Sequence, residues 1–94
     1  MSLEDEFARA VDDVLSEALQ KYKIKFPRLQ RMNAEHGHLE AAKRLVGSKG
    51  ATEGYMKLLE VGRPDLTLGA VSLRKEFRTL FTDEEIETAK RKMS

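Results

Sequence analysis

The chain has 94 residues, no cysteine, and 17 basic against 16 acidic side chains, which is the size of one domain with one core and leaves no room for a second. Disulfides and thiolate chemistry are excluded, and the apolar and charged fractions of 40% and 35% are those of an ordinary globule rather than a disordered tract. No apolar run nears the roughly 20 residues that span a bilayer and no signal peptide opens the chain, so a cytoplasmic protein is expected.

Met1-Ser2-Leu3 has the form of an expression scar and receives no functional weight. The 94 residues are expected to be either a whole protein or a domain cut from a longer one. Phe7, Ala10, Val11, Val14, Leu15, Ala18, Leu19 and Tyr22 then recur at helical spacing, with Arg9, Asp12, Asp13, Ser16, Glu17, Gln20 and Lys21 between them. Ser2 followed by Asp5 can cap the start, and Glu4, Asp5 and Glu6 suit the positive end of the dipole. One helix over residues 3–22 is predicted.

Phe26-Pro27 marks the next boundary, since a residue before proline leaves helical geometry and proline suits the first helical position. Leu29, Met32 and His36 share a face up to Gly37; Leu39, Ala42, Leu45 and Val46 carry a second short stripe up to Gly47. Both glycines are read as left-handed residues closing helices. A helix continuous through Gly37 would put Lys43 on the apolar stripe, which argues for a break there. Gly47-Ser48-Lys49-Gly50 reads as a connector, and a short helix from about Thr52 to Val61 follows, with Tyr55, Leu58 and Leu59 inward and Gly62 at its end.

Gly62-Arg63-Pro64-Asp65 reads as a turn. Thr67 caps the next helix, with Leu66 and Val71 in staple positions, and Ala70, Leu73, Phe77, Leu80 and Phe81 continue an inward face. The last helix is signed at both ends. Thr82 and Glu85 form a T-x-x-E capping box, Phe81 and Ile86 the staple, and Lys90, Arg91 and Lys92 lie where the dipole favours cations. Alternation of period two is missing throughout.

The chemistry-bearing residues are few. His36 and His38 stand two apart between Glu35 and Glu40. Ligands on a helix need spacing of three or four, and Gly37 interrupts the one such pair, His36 and Glu40. The histidines are read as punctuation, His36 closing a helix on its inner face and His38 opening the next. Ser72 and Thr67 are read as helix caps rather than nucleophiles, and no G-x-S-x-G elbow exists. Residues 47–52 lack the frame and the strand of a phosphate loop. No catalytic residue, metal ligand, cofactor or small-molecule substrate is expected.

Charge is distributed unevenly. Residues 1–20 carry a net of −5, residues 21–50 a net of +6, and residues 51–94 balance. The basic region interleaves Lys21, Lys23, Lys25, Arg28 and Arg31 with Tyr22 and Phe26, a pattern single-stranded nucleic acid uses for phosphate contact and base stacking. Tyr22 and Phe26, however, fall where burial is predicted. A helix-turn-helix centred on Gly37 would put Asn33 and Lys43 at positions that pack inward, two misfits in a short motif. The alternative is association, in which an apolar remainder on the first helix supplies affinity and the charges choose orientation.

The stretch "EHGHLEAAKRLV", followed by "GYMKLLEVGRPDLTLGAVSLRKEFRTLFTDEEIETAKR", resembles a small helical module that recurs, often C-terminally, in bacterial and archaeal proteins of uncharacterised function. Some of those proteins carry nuclease or other DNA-related domains. The resemblance covers roughly residues 33–92, and "GRPDLT" and "LFTDEE" carry most of it. It implies an accessory domain, a DNA-related context, and a helix break at Arg74-Lys75, where relatives carry Asn-Pro and this chain has no proline.

The expectation is an all-α compact bundle of five to seven short helices: a single domain over 1–94, with a long amphipathic first helix over 3–22 and a short-helix core over 27–93. Its expected function is non-catalytic, an accessory or protein-interaction domain with a protein partner or a second copy of itself. The alternative is a nucleic-acid-binding domain that sets Lys21, Lys23, Lys25, Arg28, Arg31, Lys43, Arg44 and Lys49 against phosphates.

Overall fold

Ser2 starts the chain's longest element. Its hydroxyl accepts from the Asp5 N–H at 3.1 Å while its own N–H donates to the Asp5 carboxylate at 3.3 Å, a reciprocal capping box. The helix so begun, α1, runs Leu3–Tyr22. At about 1.5 Å per residue it is about 30 Å long, comparable to the molecule's longest dimension of 31 Å. Phe7, Val11, Val14, Leu15 and Ala18 are its buried face. The computed structural model describes residues 2–47 and 53–93, the side chain of Met93 excepted.

Helix α1 ends without a glycine. Lys23 takes the left-handed conformation, φ 59° and ψ 28°, which costs a lysine about 1 kcal/mol. Its N–H bonds to the Leu19 carbonyl at 3.0 Å, that of Ile24 bonds to Ala18, and Ile24 is buried immediately after the turn.

Five further α-helices follow among the described residues: α2 Pro27–His36, α3 His38–Gly47, α4 Tyr55–Glu60, α5 Leu68–Ser72 and α6 Asp83–Met93. Two 3-10 helices, Pro64–Leu66 and Lys75–Leu80, flank α5. The fold is the expected all-helical bundle with a long first helix. Helix α3 lies at its centre, packed on α1, α2, α5 and α6, and α5 in turn packs on α1 and α6. One core joins them. Phe7 meets Phe77 and Phe81 edge-on, with ring centroids at 5.3 and 5.6 Å, and Val11, Leu58 and Val71 are wholly enclosed beside them.

Several boundaries differ from the sequence reading. Gly37 breaks the helix as expected, but at φ 85° and ψ 158° it is in a region open to glycine alone, not the left-handed helical one. Gly47 is the last residue of α3 rather than a left-handed cap. Helix α4 begins at Tyr55, and Thr52 and the Ser48–Gly50 connector lie outside the described residues. His36 does close α2, but on its exposed side.

The run from Thr67 to Phe81 is divided. Thr67 caps α5 by accepting from the Ala70 N–H at 3.1 Å. Ser72 is no cap; its buried hydroxyl donates back to the Leu68 carbonyl at 2.9 Å in the last turn of α5. Arg74 then turns extended, φ −59° and ψ 138°, and the chain resumes as a 3-10 helix. The helix is thus broken at Arg74 without a proline, and the Leu73 carbonyl it frees accepts from Arg78 Nε at 3.0 Å. Helix α6 starts with the expected box: the Thr82 N–H donates to Glu85 at 2.8 Å and the Glu85 N–H to Thr82 Oγ1 at 3.1 Å.

Candidate interaction surface

Residues 53–63 are held by attachments to distant parts of the chain. Phe26 offers α2 no side-chain cap, and Glu53 supplies one from 24 residues away, its carboxylate accepting from the Arg28 and Leu29 N–H groups at 3.3 and 3.0 Å. Gly54, at φ +75°, lies against the buried Phe26 ring so closely that a Cβ there would stand 2.4 Å from a ring carbon. Tyr55 donates its hydroxyl to the Lys92 carbonyl at 3.2 Å, and Leu58 is fully buried.

Arg63 fastens the far end. Its guanidinium bonds to both Asp65 carboxylate oxygens at 3.0 Å, donates to Tyr22 Oη at 3.0 Å, and pairs with Glu17. The Asp65 carboxylate first, then Tyr22 and Glu17, push the arginine further toward its charged form. In return the Arg63 hydrogen bonds hold the Glu17 and Asp65 carboxyls below the usual carboxylate range, against the burial that opposes ionisation.

A six-residue helix anchored along one line leaves its other sides in water. Met56 is 59% exposed, Leu59 40% and Val61 43%. Leu59, expected inward, faces out, while Leu58 beside it is fully buried. The first helix shows the reverse. Its apolar stripe, expected to leave a remainder for a partner, is covered by the core except at Leu19, 41% exposed beside α2 and α3.

The eight basic residues of 21–50 divide into groups. Lys21 pairs with Glu17 at 3.4 Å, Arg44 with Glu40 at 3.1 Å, and Lys43 with Glu85 at 3.3 Å while lying 5.8 Å from the Phe81 ring centroid. Burial opposes ionisation of Glu85, but the Thr82 N–H and the Lys43 ammonium outweigh it and hold the carboxyl low. Lys49 lies outside the described residues. Lys23, Lys25, Arg28 and Arg31 have no ion-pair partner among the described residues. Phe26 is 4% exposed, and the half-buried Tyr22 is bonded to Arg63, so neither ring is open for base stacking.

Lys23 and Lys25 instead line, together with Lys57, Glu53, Pro27, Gly54, Tyr55 and Met56, an open groove of about 530 Å³. Met56 and Lys57 in the groove, and Leu59 and Val61 exposed further along the segment, are not among the site residues picked from sequence. A signal for them exists: "YMKLLEV" places five apolar residues within seven, more than one face of a short helix can bury.

The two histidines border a second depression, open to solvent, with Glu4, Asp5 and Glu40 at its rim. They serve different partners: His38 Nε2 lies 2.9 Å from Asp12, and His36 Nε2 lies 3.7 Å from Glu35. Among the described residues no three histidine or carboxylate side chains converge to hold a metal ion. No described helix is long and apolar enough to cross a membrane. Comparison with protein-family models, curated proteins and solved structures finds no match.

Proposed function

We propose that the chain is a non-catalytic helical accessory module, cytoplasmic, whose surface around α4 holds another protein. The observation that carries this reading is the exposure of Met56, Leu59 and Val61 on one short, firmly anchored segment. Thioether and aliphatic side chains left in water on a rigid support form a ready contact surface, and Met adapts to varied partners. A second copy of the chain is one form such a partner can take, and sedimentation at micromolar concentration tests that form directly.

Nucleic-acid binding is the second reading, supported by Lys23, Lys25, Arg28 and Arg31, four cations within nine residues and without ion-pair partners among the described residues. It requires retention on a mixed oligonucleotide column that falls steeply with salt and weakens on charge reversal at Lys25 and Arg28. The decisive experiment is photo-crosslinking in cells from a benzoylphenylalanine placed at Leu59, with Thr79, an exposed residue away from α4, as control. A discrete protein adduct from position 59 and none from 79 is expected. Adducts to nucleic acid alone, or equal labelling from both positions, would overturn the reading.

A further inference from the structure

We propose that the groove between the α1–α2 link and α4 takes an acidic amphipathic segment of the partner protein, its carboxylates on Lys23, Lys25 and Lys57 and a large apolar side chain on Met56 and Leu59. This rests on the interaction reading above and narrows it to one chemistry.

The charge argument comes first. Three ammonium groups border one groove, and none has an ion-pair partner among the described residues. The carboxylate that lines the groove, Glu53, is already committed to the Arg28 and Leu29 N–H groups, and Glu60 on α4 pairs with none of the three. Elsewhere Lys21, Lys43, Arg44 and Arg63 each have a carboxylate within 4 Å. With three lysines against the one Glu53 carboxylate, the groove lining carries a net positive charge that an incoming anion complements. Lys23 also holds the left-handed turn where glycine would cost less, which keeps an ammonium at the rim despite local strain.

The floor decides what kind of anion. A nucleic acid gains affinity from stacking on exposed rings; Phe26 is buried, Tyr22 is half-buried against Arg63, and Tyr55, the ring that lines the groove, is half-buried with its hydroxyl bonded to the Lys92 carbonyl. Met56 lines the groove with the lysines, and Leu59, one turn on along α4, is exposed beyond the lining. A thioether and an isobutyl group match an aliphatic or aromatic side chain, not a sugar-phosphate backbone. Cations flanking an apolar strip complement a segment that alternates carboxylates with large apolar residues.

The test uses the whole 94-residue chain, isotopically labelled, titrated with defined probes and followed by amide chemical shifts. The probes are a synthetic peptide of glutamate and leucine at helical spacing, its lysine–leucine counterpart, a glutamate–serine peptide, a mixed-sequence single-stranded oligonucleotide, and phosphatidylserine vesicles. The glutamate–leucine peptide is expected to move the amides of residues 23–25 and 54–61. Met56→Asp and Lys57→Glu should each weaken it by at least about tenfold. Both positions are exposed, and an unchanged melting temperature verifies that each variant is folded.

Equal binding of the lysine–leucine peptide at the same amides would overturn the acidic chemistry and leave the interaction reading standing. Equal binding of the glutamate–serine peptide would overturn the apolar half. Tighter binding of the oligonucleotide or the vesicles to this groove would replace the proposal with a nucleic-acid or membrane partner, and silence toward every probe would overturn it outright.

Discussion

Helix α1 and the 53–63 segment solve opposite problems. The 20 residues of α1 carry their own start signal and deliver Phe7, Val11, Val14, Leu15 and Ala18 to the core, leaving little apolar surface outside. The six residues of α4 carry no side-chain cap of their own and are held by Glu53, Gly54, Tyr55, Leu58 and Arg63, each attached to another part of the chain. Apolar side chains are thus used for cohesion in the first region and displayed in the second. Where a helix is fastened by polar bonds and one buried leucine, its remaining apolar residues are free to meet something else.

The difference can be broken most forcefully at Phe7. Phe7→Ala removes a fully enclosed ring from an edge-on trio with Phe77 and Phe81, at about 3–5 kcal/mol. A domain of this size has about 5–15 kcal/mol in all, so urea denaturation should show most of its stability gone. Met56→Ala, by contrast, should stay within about 0.5 kcal/mol. Similar losses at the two positions would mean that α4 contributes to the core much as α1 does.

Gly54→Ala comes next, at roughly 2–3 kcal/mol. A residue with a side chain is strained at φ +75°, and its Cβ must displace the Phe26 ring from 2.4 Å. The same substitution at Gly37 meets no neighbouring atom within 4 Å, so backbone strain alone should make it the milder of the two. Glu53→Ala leaves two N–H groups at the start of α2 without their acceptor, which should cost about 1 kcal/mol and speed amide exchange at Arg28 and Leu29. Unchanged exchange there would show that the remote cap is not holding α2.

Acid sharpens the contrast at the Arg63 end. Glu17 and Asp65 have carboxyls depressed in the folded state by the Arg63 hydrogen bonds. A depressed carboxyl contributes stability above its unfolded value, and that contribution disappears as pH falls through the folded value. Wild-type melting temperature should therefore decline below roughly pH 5. Arg63→Met should be less stable at neutral pH and lose less on acidification, so that the two curves converge. Parallel curves would remove Arg63 from the account of acid stability.

Much of the fold is legible locally. Ser2 with Asp5, Thr67, and Thr82 with Glu85 each place a hydroxyl over nearby N–H groups, and Pro27 has its backbone requirements built in; all four mark helix starts where the structure has them. What stays hidden depends on contacts far along the chain. Glu53 looks like one more surface carboxylate until α2 is beside it. Leu59 and Leu58 are adjacent leucines, and only the fixed ends of the segment decide which faces in. Gly47 and Gly37 read alike, yet one continues a helix and the other leaves it. The candidate surface was half legible: Lys23 and Lys25 stand out as charge, whereas Lys43 and Arg44 look equivalent until Glu85 and Glu40 take them.

The smallest expected effect concerns a third way of ending a helix, by neither a box nor a remote bond. Arg74 already has φ −59° and ψ 138°, the conformation a following proline imposes, and Lys75 is the exposed first residue of the 3-10 helix. Lys75→Pro should therefore fit without rearrangement and stabilise by about 0.4–1 kcal/mol, chiefly by restricting the unfolded chain. Because Arg78 keeps its bond to the Leu73 carbonyl, amide shifts beyond residues 73–78 should scarcely move. A loss of more than about 1 kcal/mol would mean that the Lys75 N–H or its side chain supports the turn, and that the break depends on this lysine rather than on the backbone around Arg74.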